Sequence, residues 1–220
     1  MIVYDFPQYS EAYWKERRGT ATSSNASKII TPAKGELSKS AEGYCCDLIA
    51  ELYDHDYGPR DEFATAAMRN GTIMEPEARR YFEFETGLTV KQVGFCRTDD
   101  RRFGCSPDGL VGDSAVLELK SPKCATQIAY LLDGGLPDTY KPQCHWHLMV
   151  TGFDVCWFMS YYPGLPPLLV KVERDGYTEK VAAAADEFWE LLTNMKSQIV
   201  GQPDAVKDLA IAGANYVSPF

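Results

Sequence analysis

The apolar positions Tyr44, Leu48, Ile49 and Leu52 recur every three to four residues, the spacing of a helix that buries one face. The same period predicts a short helix over 9–18, ended by Gly19. Another follows over 24–30, capped by Thr22, Ser23 or Ser24 and stopped before Pro32. Residues 31–38 read as a polar loop, and 55–58 close the helix that starts near Tyr44. A longer helical pattern runs from about 61 to 85, where Asn70-Gly71 and Pro76 predict a kink or break near Gly71. From Leu88 the period shortens to two. Strands are predicted over 88–96, 102–105 and 115–120, with Gly112-Asp113-Ser114 as a turn. A helix over 123–134 ends at Gly134-Gly135, and Pro142 stands in the first turn of a helix that carries Gln143, Trp146, Leu148 and Met149 and stops at Gly152. Strands over 155–161 and 168–173 and a long amphipathic helix over 178–200 complete the pattern. This order predicts one α/β domain over 1–220, a mixed, largely antiparallel sheet flanked by helices, with 201–220 as a C-terminal tail.

Composition narrows the class. With 220 residues, 45% apolar and 12% aromatic, the chain can bury a full core, which argues against disorder. No apolar run is long enough to span a bilayer and no signal peptide opens the chain, so a cytoplasmic protein is expected. The seven cysteines are odd in number and contain no CxxC, which suggests neither a disulfide framework nor a zinc knuckle. A Cys144/His145/His147 group could be read as a transition-metal site, but its spacing is not a zinc pattern. The net charge of −9 opposes nucleic-acid binding only on average. Basic residues are grouped at Lys15, Arg17 and Arg18, at Arg79-Arg80, at Arg101-Arg102 and at Lys120/Lys123, so a local nucleic-acid surface stays open.

The stretch SPDGLVGDSAVLELKSP at 106–122 carries the chemistry. Glu118 and Lys120 lie two apart in a strand and share a face, while Leu119 points the other way. Burying both charges without partners would cost roughly several kcal/mol each. If the preceding strand pairs with theirs as a hairpin, Asp108 and Glu118 converge at one end, and a divalent cation relieves their repulsion. Oxygen ligands favour Mg²⁺ or Mn²⁺, and the Leu119 carbonyl could add a ligand. Lys120 would then orient or help deprotonate an attacking water, or neutralise transition-state charge. Glu75, on a helix between apolar neighbours, is a candidate further carboxylate. A surface salt bridge on an ordinary hairpin would give the same spacing.

Pro107-Asp108 followed by Glu118-Leu119-Lys120 resembles the PD-(D/E)xK nuclease signature, and SPDGL with LELKSP resembles the lambda exonuclease family of viral recombinases and alkaline exonucleases. Three further segments agree in order: RRGTATSS at 17–24, NGTIMEPEARRYFEFETG at 70–87 and YKPQCHWHLMVTG at 140–152. The resemblance implies a restriction-endonuclease-like core and a Mg²⁺-dependent 5′→3′ exonuclease on double-stranded DNA ends, which releases mononucleotides and leaves a 3′ strand for annealing. It implies Asp108 and Glu118 as metal ligands, Lys120 on the water, and Glu75 and Gln143 completing the site. Arg17, Ser24 and Ser106 would hold the 5′-phosphate, Met68 would wedge the duplex end and Lys34 would touch the DNA backbone. The segment at 17–24 departs from the family in its paired arginines and in Thr22-Ser23-Ser24, so Arg18 or Ser23 could be the contact instead. The family's tryptophan falls on Tyr13, with Trp14 one place off.

The resemblance also implies a homotrimeric ring around the DNA, which would gather basic residues on the channel wall and leave the acids outside. A single-strand annealing protein is an implied partner. A structure-specific or restriction-like endonuclease on the same core, or a non-catalytic DNA-end-binding recombination module, are the alternative readings.

Overall fold

Strand β1 (Ile2–Tyr4) leads into helix α1 (Glu11–Arg17), whose first turn is capped by Ser10: its hydroxyl accepts from the Tyr13 N–H at 3.3 Å. This computed structural model describes residues 1–54, 57, 58 and 66–200, with the side chains of 66–72 and 200 outside that set. Strand β2 (Ala21–Thr22), a 3-10 turn at Ser23–Asn25, and helices α2 (Ala26–Ile29), α3 (Ala41–Tyr53) and α4 (Ala66–Thr86) follow. Next come β3 (Val90–Lys91), β4 (Phe95–Arg97), β5 (Phe103–Cys105), β6 (Gly109–Val111) and β7 (Ala115–Lys120). Helices α5 (Cys124–Asp133) and α6 (Lys141–Thr151), strands β8 (Val155–Ser160) and β9 (Leu168–Glu173), and helix α7 (Gly176–Val200) end the described chain.

The strands make two sheets among the described residues, ordered β1-β4-β5-β2 and β3-β6-β7-β8-β9. Pairing is antiparallel except for β2 with β5 and β7 with β8. The α/β class with a mixed, mostly antiparallel sheet is therefore present, split into two sheets. The split falls where the sequence predicts one strand over 88–96. Gly94 breaks it: a Cβ there would lie 2.0 Å from the Phe6 carbonyl oxygen, and the Gly94 N–H donates to Tyr4 O at 2.9 Å. The chain leaves one sheet for the other at that point, and again between β5 and β6.

Helix α4 runs through Gly71 and Pro76 without the predicted break. Proline removes one backbone donor. Burial of Ala78 and Phe82 against Leu117 and Leu119 of β7 outweighs that loss. Residues 61–65 of the predicted helix lie outside the described residues.

Strand β7 divides the core by its pleat. Leu117 and Leu119 pack under α4 with Met159 and Tyr161, whereas Val116 packs on the opposite face with Trp146, Leu148, Val181 and Phe188 of α6 and α7. Glu118 shares the Val116 face and therefore meets α6. That helix is buried almost along its whole length, and Trp146 anchors it by donating from Nε1 to Gly104 O at 3.0 Å. Gly152, with φ of 73°, stops it in the left-handed conformation that glycine adopts without strain. Among the described residues no helix is long and apolar enough to cross a membrane.

Candidate active site

The hairpin predicted around Gly112-Asp113-Ser114 forms, pairing Gly109 with Leu117 and Val111 with Ala115. Just beyond its last pair, the Asp108 N–H donates to Leu117 O at 2.9 Å, and the Leu119 N–H donates to Asp108 Oδ2 at 2.5 Å. These bonds bring Asp108 beside Glu118. Successive strand residues alternate edges, so the Leu119 carbonyl faces the same edge as its N–H, toward Asp108. Glu118, 2% exposed, has three side-chain partners. Lys120 Nζ and Gln143 Nε2 (2.6 Å) donate to Oε1, and His147 Nε2 lies 2.7 Å from Oε2.

Electrostatics separate the two carboxyls. Burial acts most strongly on Glu118 and would raise it, but the Lys120 ammonium, followed by His147, reverses this and brings it down to about 2. Asp108 goes the other way. Loss of water and then the adjacent Glu118 charge push it well above the usual carboxylate range, against the pull of Lys120. Lys120 is shifted up: desolvation opposes its charge, and Glu118 and Asp108 outweigh that. Its ammonium also lies 5.3 Å from the centre of the Tyr140 ring.

His147, which the sequence offers only within a Cys144/His145/His147 group, instead joins Glu118. Gln143 and His147 are four apart on α6 and therefore share a face, and both reach Glu118. That i, i+4 relation to Gln143 was the available signal. An ionised Glu118 can only accept, so the His147 proton sits on Nε2, and its buried Nδ1 has no partner among the described atoms. The Cys144/His145/His147 group does not converge. Neighbours two apart on a helix diverge by about 200°, and His145 Nδ1 instead meets Thr178 Oγ1 at 2.8 Å. Cys144 is buried in the core.

The three residues expected at a terminal phosphate come together from three segments. Arg17 donates through one nitrogen to Ser24 Oγ (2.9 Å) and through the other to the Tyr13 hydroxyl (3.2 Å), which lies 3.1 Å from Ser106 Oγ. A guanidinium only donates. The Tyr13 hydroxyl accepts from it, so its own O–H can donate to Ser106 Oγ. Arg18 has another task. It donates to the carbonyls of Glu51, Leu52 and Asp54 at 2.7, 3.0 and 2.7 Å and so closes the C-terminal end of α3. Ser23 is buried, whereas Ser24 is exposed.

Of the remaining candidates, Glu75 is paired with Arg79 one turn on and stands close enough for its charge to contribute to the rise of Asp108. Lys34 is exposed, 3.9 Å from Glu36. Met68 falls on the α4 backbone, and its side chain lies outside the described residues.

Among the described residues no three His, Cys, Asp or Glu side chains form a metal cage. The donor set suits a hard ion that keeps water and substrate ligands. Magnesium is typically bound by one or two carboxylates plus phosphate oxygens. Asp108 and Glu118 repel each other in a partly dry site, which a cation would relieve. Three donors occupy Glu118, leaving one of about four lone-pair positions. Asp108 uses Oδ2 on Leu119, and the Leu119 carbonyl faces the same edge.

Residues 12–154 match the YqaJ-like viral recombinase domain. Two solved structures of LHK-Exo are similar to the chain, each 29% identical. The complex with dAMP has a TM-score of 0.77, over 90% of this chain and 99% of that one. The alkaline exonuclease LHK-Exo from Laribacter hongkongensis has a TM-score of 0.70, over 87% and 99%. A phage related exonuclease from Haemophilus somnus 129PT, 14% identical, shares the fold at a TM-score of 0.59 over 82% and 96%. A search of curated protein sequences finds no match.

Proposed function

The chain belongs to the YqaJ-like viral recombinase domain family, and from that premise we propose that it is a Mg²⁺-dependent 5′→3′ exonuclease on double-stranded DNA ends. It releases 5′-mononucleotides and leaves a 3′ single strand for annealing. Family membership carries the coarser statement, a DNA exonuclease of the viral recombinase type. One observation supports the finer one: Ser106 of the Arg17–Ser24–Tyr13 anion pocket is two residues from Asp108. Two residues span at most about 7 Å, the scale of one nucleotide of backbone. A pocket gripping the terminal phosphate therefore presents the next phosphodiester to the carboxylates. LHK-Exo was solved with dAMP, a molecule of the class such a step releases.

Each side chain then has a task. Arg17, with the hydroxyls of Ser24 and Ser106, holds the 5′-phosphate and sets the register. Asp108, Glu118 and the Leu119 carbonyl would hold the divalent ion, with Glu75 nearby on α4. Bound there, the ion supplies Lewis-acid polarisation of the phosphate and a lowered pKa for the attacking water. Gln143 and His147 fix the Glu118 carboxylate. Lys120, held as an ammonium by both carboxylates, serves as a charge donor that orients the water and neutralises the phosphate rather than as a base. Lys34 and Met68 would meet the duplex backbone and its terminal pair.

The reading extends to a homotrimeric ring threaded by the duplex and to a single-strand annealing partner. A ring reconciles the net charge of −9 with DNA by placing the basic groups on the channel wall. A monomeric mass across concentrations would rule the ring out. The central experiment digests end-labelled linear duplex, with and without 5′-phosphate, in Mg²⁺ and in chelator. Mononucleotides from the phosphorylated end, in Mg²⁺ alone, are expected. Nicking of a closed circular plasmid would identify an endonuclease instead, and end binding without hydrolysis a recombination module.

A further inference from the structure

The turn at Pro7 to Ser10 holds a residue that its backbone disfavours. The Ser10 N–H donates to Pro7 O at 3.3 Å, and Tyr9 has φ of 64°. Left-handed turn positions are the province of glycine and asparagine, and a tyrosine there is strained. Its ring gains no core burial in return, since Tyr9 is 55% exposed. Yet it is firmly placed. The ring centre lies 5.6 Å from that of Tyr13 and 6.2 Å from that of Trp14, and Trp14 Nε1 donates to Tyr9 O at 3.2 Å. The preceding residue is tied to the catalytic loop: Gln8 Nε2 donates to Pro107 O at 3.0 Å and to Val93 O at 3.3 Å. Pro107 lies between Ser106 of the anion pocket and Asp108.

An exposed aromatic ring is thus held in a strained backbone, against the residue whose hydroxyl belongs to the anion pocket. Packing does not require it, and glycine would suit the turn better. Strain of this kind concentrates where a side chain meets a ligand. We propose that Tyr9 is a stacking platform for the base of the 5′-terminal nucleotide. This rests on the end-binding reading above and adds a subsite to it. Every base has an aromatic face, so the platform is indifferent to sequence. It holds the terminal nucleotide by its base while Arg17 holds its phosphate, and together they aim the next phosphodiester at Asp108 and Lys120.

The test measures binding of 5′-phosphorylated duplex in chelator, with either a normal or an abasic 5′-terminal nucleotide. The wild-type protein should bind the abasic end about 5- to 100-fold more weakly, the range of one base–aromatic stack. Tyr9→Ala and Tyr9→Gly should weaken binding of the normal end by a similar factor, bind both ends equally and keep the preference for 5′-phosphate. Tyr9→Phe should behave as wild type. Tyr9→Gly relieves the strained turn, so its melting temperature should match or exceed that of wild type, which separates a lost stack from a lost fold. Undiminished discrimination in Tyr9→Ala and Tyr9→Gly, or none in the wild type, overturns the platform while end binding stands. A wild-type protein indifferent to 5′-phosphate would overturn the end-binding reading itself.

Discussion

His147 Nε2 lies 2.7 Å from Glu118 Oε2, across the carboxylate from Lys120 and Gln143 on Oε1. A carboxylate clamped at both oxygens keeps its orientation and its charge. Because its folded pKa of about 2 lies below the unfolded value near 4.3, Glu118 contributes stability above that unfolded value, lost as pH falls toward 2. His147→Ala removes one of the groups that hold the pKa down. It should raise the pH at which the protein unfolds in acid and cost about 1–3 kcal/mol of stability at neutral pH. An unchanged acid-unfolding midpoint would show that His147 does not hold the Glu118 charge.

Asp108 carries the opposite sign. Its folded pKa is raised, so its contribution to stability is full at low pH and is lost as pH rises through that value. Above that value its charge, beside that of Glu118, costs stability. Asp108→Asn should raise the melting temperature of the metal-free protein by a few degrees, since about 1 kcal/mol corresponds to roughly 2–4 °C at this size. The same variant should release no nucleotides. Mg²⁺ should stabilise the wild type in a thermal melt and leave the asparagine variant unmoved.

Lys120→Ala should bind duplex ends as wild type does and lose roughly two to four orders of magnitude in cleavage rate, the usual contribution of a positioned proton-transfer or charge-stabilising group. Single-turnover digestion beside an anisotropy titration measures both. Digestion at the wild-type rate would exclude Lys120 from the reaction.

Arg17 and Arg18 are neighbours with separate tasks, and paired variants distinguish them. Arg17→Ala should cut the preference for phosphorylated over hydroxyl ends by about 10-fold or more, the value of charge-assisted hydrogen bonds, with little change in fold. Arg18→Ala should keep that preference and lower the melting temperature, because three carbonyls at the end of α3 lose their donor. Tyr13→Phe, which removes only the hydroxyl between Arg17 and Ser106, should reduce the preference by a smaller factor. Competition between phosphorylated and hydroxyl duplexes reads all three.

Local pattern by itself determined the helices of α3, α6 and α7, the hairpin over Gly112-Asp113-Ser114, and the shared face of Glu118 and Lys120. Each follows from periodicity, a turn or a helix end, which act within a few residues. Tertiary packing decided the rest. Arg17 ends α1 and Arg18 caps it, and only tertiary packing turns one to Ser24 and the Tyr13 hydroxyl and the other to the end of α3. His147 meets a carboxylate 29 positions away, which no local period reports. Gly94 splits a strand-like run because the Phe6 carbonyl lies against it. Pro76 is carried within α4 because the packing of Ala78 and Phe82 on β7 is worth more than one backbone hydrogen bond. Hydrophobic period is a property of neighbouring residues, whereas a site is made where distant segments are pressed together, and that depends on the whole packed core.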